Sequence, residues 1–159
     1  MEQIPLDIRP VSYSRTENVH ILMSGDMNGA NRLFGGILMQ WIDIAAAVCA
    51  RRHSGHEVTT ASIENLSFKR PALINETVYL RACVVYVGNT SMDVKVSSYV
   101  EDLNGNRSLI NTAYLVMVAL DDNGKPTQVP RLICETELEK QENEMAIKRR
   151  ELRKLQNKN

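Results

Sequence analysis

The longest apolar stretch of the chain runs from Leu33 to Ala50 and carries a single carboxylate, Asp43. The segment around it, residues 31–53, is too long for one strand and rich in Ala, Leu, Met and Ile, so it predicts a helix. Because this helix is apolar on nearly every side, we expect the rest of the chain to wrap it. An acid in such a helix must be hydrogen-bonded, protonated or placed at an internal cavity, since an unpaired buried charge is costly.

A second pattern, with period two, predicts strands in most of the remaining chain. Residues 11–23 alternate loosely and predict a first strand ahead of the helix. Later runs rich in β-branched and aromatic residues predict antiparallel strands at 58–68, 76–87, 92–100 and 107–120. One strand, a buried helix and four more strands predict an α+β domain in which a five-stranded sheet wraps around the helix. The exposed edge and outer face of such a sheet favour self-association.

The tail predicts a further helix. Thr136 and Glu139 have the spacing of a capping box, and acids precede bases along the tail, which complements the helix dipole. A narrow apolar seam recurs every seven residues, at Leu138, Met145 and Leu152, with Leu155 beside the last. We expect a helix that lies on the body or on a neighbouring subunit; a nucleic-acid-binding arm and a coiled-coil motif are the alternatives. The predicted division is a domain at 1–134 and a charged helical tail at 135–159.

Length and composition narrow the functional classes. The 159 residues are 43% hydrophobic, which suits one compact domain, and 19 Lys and Arg balance 19 Asp and Glu. Because the net charge is zero, neither nucleic acid nor a membrane is expected as a partner, and a small molecule or a second copy is favoured. The first residues lack the pattern of a signal peptide, and three scattered cysteines are typical of reduced thiols, so we expect a cytoplasmic protein.

Most generic catalytic patterns are missing from the sequence. It has no G-x-S-x-G nucleophile elbow, no phosphate-binding loop and no dinucleotide fingerprint. Cys49 and His53 are four residues apart on the predicted helix, as a nucleophile and its base could be, but a packed thiol and a helix-end histidine are the simpler interpretation. His53, His56 and Glu57 are too few ligands for a metal site, so no metal is expected.

Asp43 and the glycine pair at the start of the helix are a stronger candidate. Gly35 and Gly36 leave the N–H groups of the first turn unblocked, so these groups could approach and polarise a carbonyl oxygen. Asp43 lies two turns further along, about 10 Å by helix rise, where an acid could serve as a general base. From these residues alone, Asp43 is equally consistent with a hydrogen-bonded acid at a subunit interface.

Short motifs follow one another between residues 26 and 130. They are D-M-N at 26–28, F-G-G-x-L-M-x-W-I-D at 34–43, T-T-A-S at 59–62, F-K-R-P at 68–71, V-G-N-T-S-M at 87–92, G-K-P at 124–126 and V-P at 129–130. In this order they resemble the hot dog-fold acyl-CoA thioesterases, specifically the acyl-CoA hydrolase branch. The tail beyond Thr136 is outside the resemblance.

The resemblance implies a hot dog fold, with a five-stranded antiparallel sheet around a central helix, here followed by a C-terminal helix. It implies a dimer, assembled further as a trimer of dimers, and hydrolysis of acyl-CoA to fatty acid and coenzyme A. Coenzyme A is then part of the substrate, and no cofactor is expected. Asp43 would act as general base or nucleophile, and Asn28 of the partner subunit would orient water or the carbonyl. The Gly35 and Gly36 amides would stabilise the oxyanion.

The same resemblance implies a set of contacts to coenzyme A. The expected residues are Thr60, Ser62, Lys69, Arg70, Gly88, Asn89, Thr90 and Ser91. Lys69 and Arg70 are the natural phosphate partners, whereas ordinary turn and strand-end roles are the alternative for Gly88 and its neighbours. The chain has Asn31 and Asn75 where the family usually has glycine, and Asn tolerates left-handed backbone better than most residues. If Asn28 is not the catalytic asparagine of the loop before the helix, Asn31 is the next candidate.

Two other functions stay open from the sequence. A non-catalytic acyl-CoA sensor would use the same groove, with the charged tail carrying the signal. The presence of both Asn28 and Asp43 favours the enzyme over the sensor. A hot dog dehydratase would need a histidine near the start of the helix, and the sequence has none between His20 and His53.

Overall fold

The computed structural model describes residues 7–64 and 66–158. Its strands are β1 (Ile8–Pro10), β2 (Thr16–Ile21), β3 (Glu57–Glu64), β4 (Thr77–Val87), β5 (Ser91–Glu101), β6 (Arg107–Leu120) and β7 (Arg131–Ile133). Its α-helices are α1 (Val11–Ser14), α2 (Gly35–Ser54) and α3 (Glu137–Gln156). Residues 1–6, which contribute to the expectation that there is no signal peptide, lie outside the described residues.

Five strands form one antiparallel sheet in the order β2-β4-β5-β6-β3, and α2 contacts all of them. Alternate residues of β5 and β6 are buried, as a sheet with one face on a helix requires. The strands predicted at 76–87, 92–100 and 107–120 agree with β4, β5 and β6 to within one residue at each end. The predicted α+β architecture, a sheet curled around a central helix, is therefore confirmed. Strands β1 and β7 form a separate parallel pair.

Two boundaries near the N-terminus differ from the prediction. The strand predicted over 11–23 is divided, because Val11–Ser14 form one helical turn after Pro10, and only Thr16–Ile21 pair with β4. The central helix starts at Gly35, later than the predicted residue 31. Asn31 has a φ of 57°, a left-handed conformation that an α-helix cannot include.

The central helix is covered on one side only, which corrects the expectation that the chain wraps it completely. Leu38, Ile42 and Ala46 on its inner side are fully buried against the sheet. The opposite side of the single chain carries an open stripe, made of Gly36, Met39, Gln40, Asp43 and Ile44. Met39 and Ile44 are 41% and 47% exposed, which leaves an apolar helix face without a cover.

The C-terminal helix α3 begins with the predicted capping box, in which the Thr136 hydroxyl accepts from the Glu139 amide and the Glu139 carboxylate accepts from the Thr136 amide. The helix lies on the outer face of the sheet, where its Ala146 is fully buried and where it also makes hydrogen bonds and ion pairs. Asn143 donates to the Val85 carbonyl, and the ion pairs are Lys95 with Glu142 and Arg153 with Asp93. The predicted apolar seam is exposed instead. Along the described chain, no helix combines the length and hydrophobicity needed to cross a membrane.

Candidate functional site

Asp43 is held by Thr60 on the open side of the central helix. The Thr60 hydroxyl donates to Asp43 Oδ1 at 2.6 Å. The two residues line a shallow open groove between α2 and β3, together with Gly36, Met39, Gln40 and Ile63. Asp43 is half-buried and its second oxygen, Oδ2, has no hydrogen-bond partner among the described residues. The carboxylate is thus fixed through one oxygen and open through the other. Of the three alternatives that the sequence left open for this acid, the structure shows the hydrogen-bonded one, in an open groove of the single chain.

An irregularity in β3 sets the direction of Thr60. The register of β3 against β6 shifts between Thr60 and Ser62, which is the mark of a β-bulge. Thr60 lies on the inner face with Asp43, whereas Glu64 reaches Arg153 on the outer face. Strand alternation then places Ser62 on the same face as Glu64 and not beside Thr60. The sequence predicted both residues as coenzyme A contacts; only Thr60 is near Asp43.

Asn28 lies in a different groove of the same chain. Its Oδ1 accepts from the amides of Ala30 and Arg32, at 2.9 and 3.1 Å, so the loop fixes which way the side-chain amide points. The Asn28 NH₂ group is therefore the free end, and it is exposed. Within one chain, Asn28 and Asp43 do not line a common groove.

The two glycines at the start of α2 separate these grooves. Gly35 lines the groove of Asn28 and Gly36 lines that of Asp43. The N-cap residue, Phe34, provides no side-chain acceptor, so the first-turn amides stay available to a ligand oxygen. A Cβ at residue 36 would lie 2.9 Å from the Phe34 ring, which leaves little room for any larger residue there.

The remaining predicted contacts fall into two places. Lys69 and Arg70 are exposed and line the groove of Asn28, where Arg70 also pairs with Glu76 at 3.3 Å. Residues 88–91 form the turn between β4 and β5, and this turn meets α3 and not the groove of Asp43. The structure therefore divides the predicted residues among three places. One groove holds Asp43, Thr60 and Gly36, and a second holds Asn28, Gly35, Lys69 and Arg70. The turn of residues 88–91 lies apart from both.

Cys49 and His53 do not form a catalytic pair. Cys49 contacts Ser14 in the core, and burial raises the pKa of its thiol to about 12. His53 bonds through Nε2 to the Pro130 carbonyl, and burial lowers the pKa of the imidazole. Both residues are structural, in agreement with the simpler interpretation of the sequence. The described part of the chain groups no three His, Cys, Asp or Glu side chains suited to a metal ion.

The sequence missed two features of these sites. It named Thr60 only as a coenzyme A contact and did not find its hydrogen bond to Asp43. It also did not single out Arg131 and Arg150, which both contact the 88–91 turn. No local pattern could have found the arginines, because they are more than 35 residues beyond the turn in sequence.

Comparison with known sequences gives a consistent result. Residues 30–104 match the thioesterase superfamily. Over 130 residues, the chain is 43% identical to the uncharacterized acyl-CoA thioester hydrolase YkhA of Bacillus subtilis. That alignment covers 81% of this chain and 76% of the Bacillus protein.

Solved structures are similar over almost the whole chain. An acyl-CoA hydrolase from Staphylococcus aureus, in complex with butyryl coenzyme A, coenzyme A and coenzyme A disulfide, is 34% identical, with a TM-score of 0.85 over 95% of this chain and 94% of that one. An apo-hexameric acyl-CoA thioesterase is 35% identical, with a TM-score of 0.89 over 95% and 97%. Variants of the staphylococcal hydrolase in which an aspartate, an asparagine or a threonine is replaced by alanine have also been solved, the asparagine variant with coenzyme A.

Proposed function

The chain belongs to the thioesterase superfamily, and on that premise we propose that it hydrolyses acyl-CoA to a free fatty acid and coenzyme A. The observation that carries the proposal is the hydrogen bond from Thr60 to Asp43, in a groove beside an uncapped helix start. The Bacillus relative, named an acyl-CoA thioester hydrolase at 43% identity, supports the substrate class. Coenzyme A enters as part of the substrate, no separate cofactor takes part, and the enzyme works in the cytoplasm.

Asp43 is the proposed catalytic carboxylate. As a general base it removes a proton from the water that attacks the thioester carbonyl, and the acyl C–S bond breaks with release of coenzyme A. As a nucleophile it attacks the carbonyl itself and forms an anhydride as the coenzyme A thiolate leaves, and water then hydrolyses the anhydride. In either case Thr60 holds Oδ1 and leaves Oδ2 for the reaction. The first-turn amides of Gly35 and Gly36 receive the negative charge that develops on the carbonyl oxygen. The staphylococcal alanine variants concern the same three residue types as Asp43, Asn28 and Thr60, which supports this choice.

A dimer completes the proposed site. Asn28 and Asp43 line separate grooves in one chain, so Asn28 of the partner subunit is the one that orients water or the carbonyl at Asp43. Strand β3 is an edge of the sheet, and the open stripe of α2 lies beside it. An unpaired edge next to an uncovered apolar stripe is the surface that we assign to the dimer contact.

We propose that dimers join through α3 to form a trimer of dimers. The seam residues Leu138, Met145, Leu152 and Leu155 are 67%, 45%, 60% and 61% exposed. Exposed leucines on one helix are uncommon unless another surface covers them. The similar apo thioesterase is hexameric, which supports a second copy of this chain as the partner.

Free thiol release from acetyl-, butyryl-, hexanoyl- and palmitoyl-CoA tests the function. We expect turnover with at least one chain length, and a decrease of kcat by at least about a hundredfold in Asp43→Asn, since a general base contributes that much or more. Asp122→Asn makes the same chemical change at an exposed acid and is expected to leave turnover unchanged. Turnover by Asp43→Asn at the wild-type rate would remove Asp43 from the mechanism.

The second candidate is a non-catalytic acyl-CoA sensor. It would bind acyl-CoA with measurable affinity by calorimetry and release no thiol at any chain length. The free Oδ2 of Asp43 and the uncapped helix start favour the enzyme, because a sensor has no need of a positioned base.

A further inference from the structure

The turn between β4 and β5, residues 88–91, offers hydrogen-bond donors and no free backbone acceptor. Its four carbonyls accept, in chain order, from Arg131, from the amides of Val129 and Ala119, and from the turn's own Gly88 amide. The amides of Asn89 and Thr90 have no acceptor among the described residues, and Asn89 is exposed. A turn that keeps its carbonyls bonded and its N–H groups outward suits an anion.

The missing side chain at Gly88 leaves room for a neighbouring guanidinium group, and its backbone conformation does not call for glycine. Its φ lies outside the left-handed region, which only Gly55, Gly105 and Gly124 occupy among the described glycines. A Cβ at residue 88 would lie 2.9 Å from both terminal nitrogens of Arg150. The glycine therefore makes room for the guanidinium against the turn, and the alternative role of a conformational turn residue does not apply.

Two arginines reach the turn without a carboxylate. Arg131 donates to the carbonyls of Gly88 and Val129. Arg150 donates to Ser91 Oγ at 3.1 Å and stacks at 5.0 Å from the ring centroid of Tyr86. Within the described residues, neither arginine has an acidic side chain at ion-pair distance.

The neighbouring basic residue on α3 is different. Arg153 pairs with Asp93 at 2.7 Å and with Glu64 at 3.4 Å. The charge of Arg150 also acts on Asp93, but that carboxylate is bonded to Arg153. The positive charge at the 88–91 turn is thus left uncompensated while the charge one turn further along α3 is neutralised.

The family resemblance already implies that residues 88–91 contact coenzyme A. We propose that Arg150 and Arg131 supply the positive charge at this turn and bind a phosphate group in the nucleotide half of acyl-CoA. This inference rests on the proposed function and adds a residue from α3, outside the motif-bearing region, to substrate recognition. A guanidinium group can bind two oxygens of one phosphate at the same time. Two arginines without acidic partners, beside outward-facing amides, give this site the positive charge that a phosphate requires. Because the nucleotide is remote from the thioester, Arg150 contributes to binding and not to the chemical step.

The test compares substrates with and without the nucleotide. KM and kcat are measured for butyryl-CoA and for butyryl-pantetheine, which has the same thioester and no phosphate. For Arg150→Gln we expect KM for butyryl-CoA to rise about tenfold, as for the loss of one charge-assisted contact. The kcat values and the KM for butyryl-pantetheine are expected to stay within twofold of wild type. Equal KM changes for both substrates, or none, would overturn the proposal.

Lys148→Gln is the matched control. It removes the same charge from the same helix at an exposed residue and should leave both KM values unchanged. Arg150→Lys keeps the positive charge but loses the planar guanidinium donors, and it should raise KM for butyryl-CoA by a smaller factor. It also tests the proposal if the glutamine variant misfolds.

Calorimetry with coenzyme A and 3′-dephospho-coenzyme A separates this inference from the proposed function. Thiol release with an unchanged coenzyme A affinity in Arg150→Gln would defeat the inference alone. Coenzyme A binding that weakens about tenfold in Arg150→Gln, without thiol release by wild type, would defeat the hydrolase and keep the phosphate site. Failure of wild type to bind coenzyme A at all would overturn both.

Discussion

A single hydrogen bond defines the reactive end of the site. Thr60 fixes Asp43 Oδ1, and the bulge that follows Thr60 is what keeps this hydroxyl on the inner face while Glu64 faces outward. A serine in place of Thr60 can still donate, and a valine of similar shape cannot. Thr60 is therefore a positioning residue for the proposed base, and its contribution can be measured separately from the fold.

We expect Thr60→Val to lower kcat by about 10- to 100-fold, the equivalent of one hydrogen bond to a charged group. Thr60→Ser should restore most of the rate, and KM should change little in either variant. Steady-state kinetics on butyryl-CoA would check this. A valine variant as active as the serine variant would mean that the hydrogen bond has no part in turnover.

At the scale of elements, α3 contacts the sheet through ion pairs as well as through its buried Ala146. Arg153 pairs with Asp93, which is 3% exposed, yet burial outweighs this attraction and leaves the pKa of Asp93 raised. The folded protein therefore holds the Asp93 proton more tightly than the unfolded chain does. Its contribution to the free energy of unfolding becomes more favourable as pH falls through the raised pKa towards the unfolded value of about 3.9.

Replacing Arg153 is expected to lower the free energy of unfolding more than replacing Asp93. Arg153→Gln leaves a buried carboxylate unpaired and is expected to lower the free energy of unfolding by about 2 kcal/mol at pH 8, with part of the loss recovered at pH 5 as Asp93 takes up a proton. Asp93→Asn removes the buried charge and is expected to cost less than about 1 kcal/mol at either pH. Urea unfolding at the two pH values measures both variants. Equal losses, or no recovery at pH 5, would contradict a charge-based attachment.

At the scale of the whole molecule, two of the described helices carry an uncovered apolar surface in the single chain. One is the open stripe of α2 beside the edge strand β3, and the other is the leucine seam of α3. The two surfaces belong to different faces of the sheet, because α2 lies on the inner face and α3 on the outer face. Two separate surfaces of this kind fit the proposed assembly, in which dimers form through one surface and join through the other.

We expect a Leu138→Glu, Leu152→Glu double variant to yield dimers where the wild type yields hexamers, because a charge at each position opposes burial of the seam. Analytical ultracentrifugation would give the two masses. The dimers should keep most of their turnover, since the proposed site needs only one partner subunit. Glu151→Gln, at an exposed neighbour on α3, is the control for assembly. An intact hexamer in the double variant would exclude the seam as the contact between dimers.

The sequence by itself determined the central helix and the three longest strands, and it singled out Asp43. It did not find β1, α1 or β7, and it extended β3 to residue 68, whereas the strand ends at Glu64. Period-two alternation defined β4, β5 and β6 to within a residue, since burial of one sheet face imposes that alternation. The tail showed its capping box, and Asn31 and Asn75, placed where the family has glycine, adopt φ values of 57° and 68°. These features are local, so neighbouring residues are enough to specify them.

Only the tertiary structure decided which residues meet. The partner of Asp43 comes from an edge strand, the face of Ser62 depends on a bulge, and the arginines at Gly88 arrive from β7 and α3. The sequence left open whether the tail helix lies on the body or on a neighbouring subunit. The structure sets the charged side of α3 against the sheet and leaves the leucine seam exposed in the single chain. Contacts of this kind depend on how distant segments are brought together, and periodicity within one segment carries no information about them.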